Sequence, residues 1–436
     1  VRIAVVGGGV SGLGAALALA RVHDVVLYEA DDRLGGHAHT HDVSHGGRTW
    51  RLDTGFLVYN TRTYPAFCGL LDELGVGSIE TDMALSVRCR ACRLEYALRG
   101  PRAVFAQPRN LVRPAFYGMF RDIGRFFRDA RAFLDGPAPG APPLPARDLS
   151  VREFLDRGGY GDWFSRHWLL PTSSALWSAP TGDILAYSAR MMLSFFRNHG
   201  FLGRRQLQWR TVTGGSRSYV DAIAARLGDR VRTSSPVERV ERVPGGVLVT
   251  VRGRPAERFD AAVYACHADQ ALETWTDADP AERALLGRFR YARHRVTLHT
   301  DRSFLPRSRH AWSAWNCDLA DCRDASAPAS LTYDLNRLQG LATETPFCVT
   351  LNPDRQPEGT IAELSYAHPT LTADAVAAQA ALSARNGERG LWFAGAHLRN
   401  GFHEDGLRSG LEVARRLGAP AGFDPVEARG GAGGRT

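Results

Sequence analysis

Val1-Arg2-Ile3-Ala4-Val5-Val6-Gly7-Gly8-Gly9-Val10-Ser11-Gly12 opens the chain, and its reading decides the fold. Val1–Val6 is an unbroken apolar run, as expected for a strand buried on both faces. Ser11–Val22 is rich in Ala and Leu and reads as a helix. Asp24–Tyr28, rich in Val, is a second strand. Between the first strand and the helix, Gly7, Gly9 and Gly12 satisfy G-x-G-x-x-G. Alone that match is weak; a strand before it and a helix after it give it meaning. Gly7 permits the tight turn, Gly9 lets a pyrophosphate approach the backbone, and Gly12 lets helix and strand pack closely. Val10 and Ser11 stand at the helix N-terminus, where unpaired N–H groups and the helix dipole favour phosphate. Glu29 closes the second strand, placed to accept hydrogen bonds from ribose hydroxyls and to repel a 2′-phosphate. The start of the chain is therefore a dinucleotide-binding β–α–β unit in an α/β protein.

The chain has 436 residues, which predicts two interlocked domains. Its 44% hydrophobic and 23% charged residues are ordinary for a globular protein. Residues 230–265 read as strands, 108–135 and 151–203 as helical, and 391–417 as strand, Gly-rich turn and helix. A Rossmann-like domain is expected from 1–60, 205–265 and 385–418. A partly helical substrate domain is expected from 61–204 and 266–384. Residues 136–146, GPAPGAPPLPA, read as an irregular surface loop, and 419–436 as a flexible tail. No stretch is apolar for the roughly 18 residues a membrane span requires. The apolar start runs straight into glycines, unlike a signal peptide. The expectation is a cytoplasmic protein, with peripheral contact to the inner face of a membrane as an option. That option comes from Phe116, Phe120, Ile123, Phe127, Ala130 and Leu134, spaced as one helix face beside a basic side.

All 54 residues counted as Lys or Arg are arginine, and the formal net charge is +8. Without lysine the chain offers no Schiff base and no catalytic ammonium. The arginines are scattered along the chain, which argues against a nucleic-acid partner. The seven cysteines are expected to be reduced thiols. Cys89 and Cys92 form one Cys-x-x-Cys, but no second pair follows at finger-like spacing, and Cys317 and Cys322 would join it only through the fold. His37, His39 and His41 alternate, with His45 beyond, and read as polar positions near phosphate. No metal is expected.

Glu29-Ala30-Asp31-Asp32-Arg33-Leu34-Gly35-Gly36 resembles the second fingerprint of the FAD-dependent amine oxidase and phytoene desaturase superfamily. Trp392-Phe393-Ala394-Gly395-Ala396 and Gly401-Phe402-His403-Glu404-Asp405-Gly406 resemble its C-terminal flavin motif. Asp53-Thr54-Gly55 resembles the segment that lies against the isoalloxazine ring, and Val237 stands where the family offers a backbone clamp to adenine. The resemblance implies FAD as cofactor. It implies contacts from Glu29, Ala30, Arg33, Gly35, Gly36, His37, Asp53, Thr54, Gly55, Val237, Gly395, Glu404, Asp405 and Gly406, beside Gly7, Gly9, Val10, Ser11 and Gly12. His37 departs from the arginine usual after the two glycines.

Within the superfamily the chain is similar to oxidoreductases encoded beside cyclopropane-fatty-acid synthase-like enzymes. Gly35-Gly36-His37, Asp53-Thr54-Gly55-Phe56-Leu57-Val58-Tyr59-Asn60 and Gly401–Gly406 carry that likeness. It implies dehydrogenation or desaturation of an apolar substrate, a fatty-acyl chain, by hydride transfer to flavin. Flavin amine oxidation, FAD-dependent double-bond isomerisation and a non-enzymatic FAD-binding scaffold are the alternatives. The lysine that many flavin amine oxidases hold near the ring is missing. His403 and Tyr59 are the catalytic candidates. A long apolar pocket is expected, drawing on Trp168, Leu169, Trp177, Phe195 and Phe196.

Overall fold

The structure is a computed structural model that describes residues 1–136, 148–177, 179–203, 207–324, 329–420 and Phe423. The expected loop 136–146 lies outside the described residues beyond Gly136, and the expected tail does so except for Ala419, Pro420 and Phe423. The chain divides into two compact units, one of Val1–Ile79, Val212–Tyr291 and Asp374–Thr436, the other of Glu80–Thr211 and Ala292–Ala373.

In the first unit a five-stranded sheet runs in the order Val231–Arg232, Asp24–Tyr28, Arg2–Val6, Ala261–Tyr264, Leu391–Phe393. Every pair in it is parallel. Parallel strands need crossover connections, so a sheet of this kind is covered by helices and its strands read as apolar runs. Ile3, Ala4, Val5, Ala262 and Val263 have no exposed surface. Helices Val10–Leu19 and His403–Arg416 pack against each other through small residues. A Cβ on Gly410 would lie 2.1 Å from the Ser11 carbonyl oxygen, and one on Gly14 would lie 2.4 Å from Leu407 Cδ1.

A three-stranded antiparallel sheet, Val237–Val243, Gly246–Val251 and Glu257–Phe259, closes over one apolar cluster. Val240, Val247, Val249 and Phe259 meet Tyr28, Tyr264 and Phe393 there. Ala268, Ala271, Trp275, Leu286 and Phe289 join the same cluster, as do Ala375, Ala378 and Leu382 of helix Ala373–Ala384. Helix Pro65–Leu74, ended by Gly75 in the left-handed region, packs on helices Arg217–Leu227 and His403–Arg416. These contacts move the expected boundaries. Residues 61–79, 266–291 and 374–384 belong with the first unit, and 207–211 with the second.

The second unit holds a seven-stranded sheet in the order Thr360–Thr370, Arg290–His299, Cys348–Leu351, Ser330–Asp334, Trp315–Leu319, Leu85–Cys89, Leu94–Ala97. Trp315–Leu319 pairs with Leu85–Cys89 in parallel, from Trp315 opposite Leu85 to Leu319 opposite Cys89. Helix Pro114–Asp135 lies in this unit, and its buried face shares Phe116, Ile123 and Ala130 with the expected one but is rotated from it. Phe116, Met119, Ile123, Phe126, Ala130 and Phe133 are buried, while Phe120, Phe127 and Leu134 are half-buried. The face is rotated because Phe126 is the hub of an aromatic core, 5.3 Å from the Phe164 ring and 5.7 Å from Trp168. Trp177 adds Phe195 at 5.0 Å and Phe196 at 6.2 Å. The side chains expected to line a pocket are buried against one another instead; Leu169 and Phe196 have no exposed surface.

Two alanine substitutions test this packing with opposite signs. Gly410→Ala forces a methyl into the helix crossing and should lower stability by about 1–3 kcal/mol. Gly118→Ala, in helix Pro114–Asp135 with nothing within 4 Å of its Cβ position, should raise it by up to about 1 kcal/mol. Denaturant unfolding midpoints of the two variants read both effects.

Candidate functional site

Three glycine motifs from distant parts of the chain meet at one backbone. Gly7, at φ 109°, turns the chain out of the first strand. A Cβ on Gly12 would lie 1.9 Å from the Gly7 carbonyl oxygen, so helix and strand touch there. The second fingerprint docks on the first: Gly35 N–H donates to the Gly8 carbonyl at 2.8 Å. Gly36, at φ 57°, would bring a Cβ 3.2 Å from Gly9 Cα. The C-terminal motif arrives from the other side, where a Cβ on Gly406 would lie 2.9 Å from Val10 Cγ1 and 3.0 Å from Ser11 Oγ. Gly9 faces open space, with nothing within 4 Å of its Cβ position, unlike Gly7, Gly8, Gly12, Gly35, Gly36 and Gly406 around it. It caps helix Val10–Leu19, which carries no side-chain cap and no acidic residue in its first turn. That is a cradle with room and polarity for phosphate.

Glu29 stands beside the cradle. Its carboxylate accepts from Gly8 N–H at 2.7 Å and Asp31 N–H at 2.9 Å, and burial raises its pKa. A carboxylate has about four acceptor sites, so two remain for ribose hydroxyls. Ala30 is exposed next to it. The segment leading to Val237 runs alongside, with Ser235 N–H donating to the Glu29 carbonyl at 2.8 Å. Arg33 donates to the Gly36 carbonyl at 3.0 Å and the Leu34 carbonyl at 3.4 Å. It therefore braces the Gly35–Gly36 turn, and its five donors leave capacity for phosphate.

His37 and the Asp53–Gly55 turn are joined through backbone. The His37 carbonyl accepts from Phe56 N–H at 2.9 Å, and a Cβ on Gly55 would lie 2.0 Å from that same oxygen. Thr54 N–H and Oγ1 both reach the His39 carbonyl, at 2.9 and 3.1 Å. Asp53 is 1% exposed and its carboxylate is engaged from within: Thr40 Oγ1 at 2.6 Å, Ser216 N–H at 2.9 Å and Ser216 Oγ at 2.8 Å. Burial pushes it up to about 6. Asp53 is thus a positioning residue that ties the hairpin Thr40–Asp53 to helix Arg217–Leu227.

The two acidic residues of the C-terminal motif also turn inward. Glu404 accepts from Ala66 N–H at 3.0 Å and Phe67 N–H at 2.9 Å, capping helix Pro65–Leu74. Asp405 accepts from Phe402 N–H at 3.1 Å at the start of its own helix. Burial pushes Glu404 up to about 7 and Asp405 up to about 6. Gly395 N–H meets Ser409 Oγ at 2.8 Å, which fixes the strand end on the same helix.

The structure brings both catalytic candidates to one aromatic cluster. His403 stacks on Phe56 with centroids 3.7 Å apart and planes at 10°. Its Nε2 shares a 2.8 Å hydrogen bond with Tyr219 Oη. Phe67 meets the His403 ring edge-on at 5.2 Å and the Tyr59 ring at 5.1 Å. Burial drops His403 to about 3, so it is neutral at physiological pH. It is a fixed polar point and not a loose base. Sequence reasoning missed Thr40 and Ser216 as supports of Asp53, and Tyr219, Phe56 and Phe67 as supports of His403. The signal for Ser216 is local: Gly214 and Gly215, both at positive φ, precede a helix.

Residues 10–360 match the family of flavin containing amine oxidoreductases, and the chain belongs to that family. A Mycobacterium tuberculosis protein named as a flavin-containing monoamine oxidase, AofH, is 30% identical over 267 residues, 57% of this chain and 53% of that one. Pig amine oxidase B is 28% identical over 259 residues, 57% of this chain and 46% of that one. The chain thus spans about half the length of these relatives. Putrescine oxidase bound to putrescine superposes with a TM-score of 0.68 at 16% identity, covering 96% of this chain and 100% of that one. A fatty acid isomerase from P. acnes that produces CLA gives 0.65 at 16% identity, covering 96% and 98%. These last two likenesses establish the fold. FAD is the family's cofactor, and the open face of Gly9, the uncapped helix and the spare acceptors of Glu29 fit its diphosphate and ribose.

Two glycine variants separate cofactor contact from packing. Gly9→Ala places its methyl in open space and should leave the fold intact while weakening FAD binding tenfold or more. Gly12→Ala should lose both, because its methyl meets backbone. Flavin fluorescence titration reads the first effect and far-UV circular dichroism the second; equal behaviour of the two variants would contradict the assignment.

Proposed function

We propose that the chain is an FAD-dependent oxidoreductase that dehydrogenates or desaturates an apolar acyl chain carrying an anionic head. The single observation that supports the anionic head is a cleft in the second unit, of about 960 Å³, whose lining shares no residue with the Gly9 cradle or the His403 cluster. Arg88, Arg90, Arg93, Arg109, Arg302, Arg307 and Arg309 line it with Leu305, Pro306 and Trp312. Its one lining carboxylate, Glu95, is occupied by Arg307 N–H at 2.6 Å and Ser308 N–H at 3.3 Å. Arg88 and Arg90 are paired with Asp318 and Asp354, so Arg93, Arg109, Arg302, Arg307 and Arg309 are the cations that favour an anion over an ammonium. Arg302 and Arg309 also stack on Trp312, which joins cationic and apolar surface in one place.

Bound FAD supplies a two-electron acceptor; the chain supplies orientation and electrostatics. Gly7–Gly12 and Gly35–Gly36 would hold the diphosphate, and Glu29 the ribose. Asp53, through Thr40 and Ser216, keeps the Thr54–Gly55 turn in place. His403 offers a neutral imidazole whose Nε2 is held by Tyr219. Among the described residues no helix is long and apolar enough to cross a membrane. Leu111 and Val112, 53% and 81% exposed, sit between Arg109 and Arg113, an arrangement that supports peripheral contact with an anionic bilayer.

Amine oxidation is the second reading, favoured by the names of the relatives. Against it stand the absence of lysine and the positive cleft. The FAD-loaded protein, mixed anaerobically with anionic vesicles of methylated unsaturated phospholipid, should lose its yellow absorbance and yield lipid lighter by two hydrogens. Bleaching by primary amines with no response to lipid would make it an amine oxidase. Lipid altered without change of mass would make it an isomerase. A flavin inert to both would leave an FAD-binding scaffold.

A further inference from the structure

The second unit gathers four metal-ligating side chains that spacing along the chain does not reveal. Cys89 ends strand Leu85–Cys89, and Cys92 follows in the reversal toward strand Leu94–Ala97. The reversal is fixed by Arg90 N–H to the Leu319 carbonyl at 2.9 Å and Ala91 N–H to the Ala320 carbonyl at 3.1 Å. It closes through Arg93 at φ 53°, a conformation a side chain rarely takes. Because Leu319 lies opposite Cys89, the chain leaving strand Trp315–Leu319 carries Cys322 to the same place. His167 comes from a π-helical turn, Ser165–Leu169. Its carbonyl accepts from Tyr96 Oη at 2.7 Å, its ring lies 4.5 Å from that of Trp163, and its Nε2 stands 3.3 Å from Cys92 Sγ.

The ligand atoms of Cys89, Cys92, His167 and Cys322 all lie within 4.8 Å of one another. A tetrahedron with metal–sulfur bonds of about 2.3 Å has edges of about 3.8 Å, so one ion fits with small adjustment. A two-iron cluster would spread its ligands wider than this. Three thiolates and an imidazole, with no carboxylate, exclude magnesium and calcium and suit zinc. Four protein ligands fill a zinc shell and leave no open position for chemistry. Cys89 and His167 are buried, and Cys92 and Cys322 are half-buried, as for an ion set into the wall of the fold.

We propose that Cys89, Cys92, His167 and Cys322 hold one structural zinc ion. It would staple the strand reversal at 89–94, the loop after Leu319 and the helical turn at 165–169, three segments far apart in sequence. The whole chain, purified reduced and without chelator, should contain about one zinc per chain by inductively coupled plasma mass spectrometry. Replacing that zinc with cobalt in the intact chain should give the ligand-field and thiolate charge-transfer bands of a tetrahedral sulfur site. Cys92→Ser and His167→Ala should each lower zinc content at least fivefold. If a variant fails to fold, the cobalt spectrum of the natural chain decides. Zinc-free protein that takes up neither metal, with its thiols free or paired as a disulfide, would overturn the proposal. Zinc retained in full by both variants would do the same.

Discussion

A carbonyl oxygen with no room for a methyl group is the constraint on which the first unit depends. Gly12 meets the Gly7 oxygen at a Cβ distance of 1.9 Å, Gly410 meets the Ser11 oxygen at 2.1 Å, and Gly55 meets the His37 oxygen at 2.0 Å. Each is a place where backbone packs on backbone. Together they let a strand, two helices and a hairpin converge around residues 7–12. Gly9 is the exception that gives the convergence a use, because its face is open. Tight packing around it leaves the start of helix Val10–Leu19 without a side-chain cap, and a diphosphate is a ligand that such a helix N-terminus favours.

Carboxylates hold the same region from within. Asp53, Glu404 and Glu29 each accept backbone N–H groups. A buried carboxylate is costly unless its lone pairs are filled, so each fixes the segment that supplies its donors. Glu29 is the one that also faces the cradle, and it joins packing to cofactor recognition.

The glycine fingerprint and both adjoining strands were legible in sequence because each depends on residues close together in the chain. The parallel sheet confirms the α/β reading, with Ala261–Tyr264 and Leu391–Phe393 beside Arg2–Val6. The roles of Asp53, Glu404 and Asp405 were not legible. A carboxylate at the start of a helix serves a ligand or a backbone N–H equally well, and only the fold shows that Ala66 and Phe67 claim Glu404. The face of helix Pro114–Asp135 was only partly legible for a related reason. Two apolar stripes were available, and burial of Phe126 among Phe164, Trp168 and Phe196 selected between them. Cys322 was expected to reach Cys89 and Cys92 only through the fold, and a parallel strand pair brings it there; His167 was not legible, because a π-helical turn brings it in.

The account stands on the identity of the nucleotide in the first unit. Heat- or acid-denaturing the purified protein and separating the released nucleotide by liquid chromatography with mass spectrometry tests that directly. FAD at about one per chain, with no NAD or NADP, is the result the Gly9 cradle, Glu29 and the family predict. Release of a nicotinamide dinucleotide, or of nothing even after incubation with excess FAD, would contradict it.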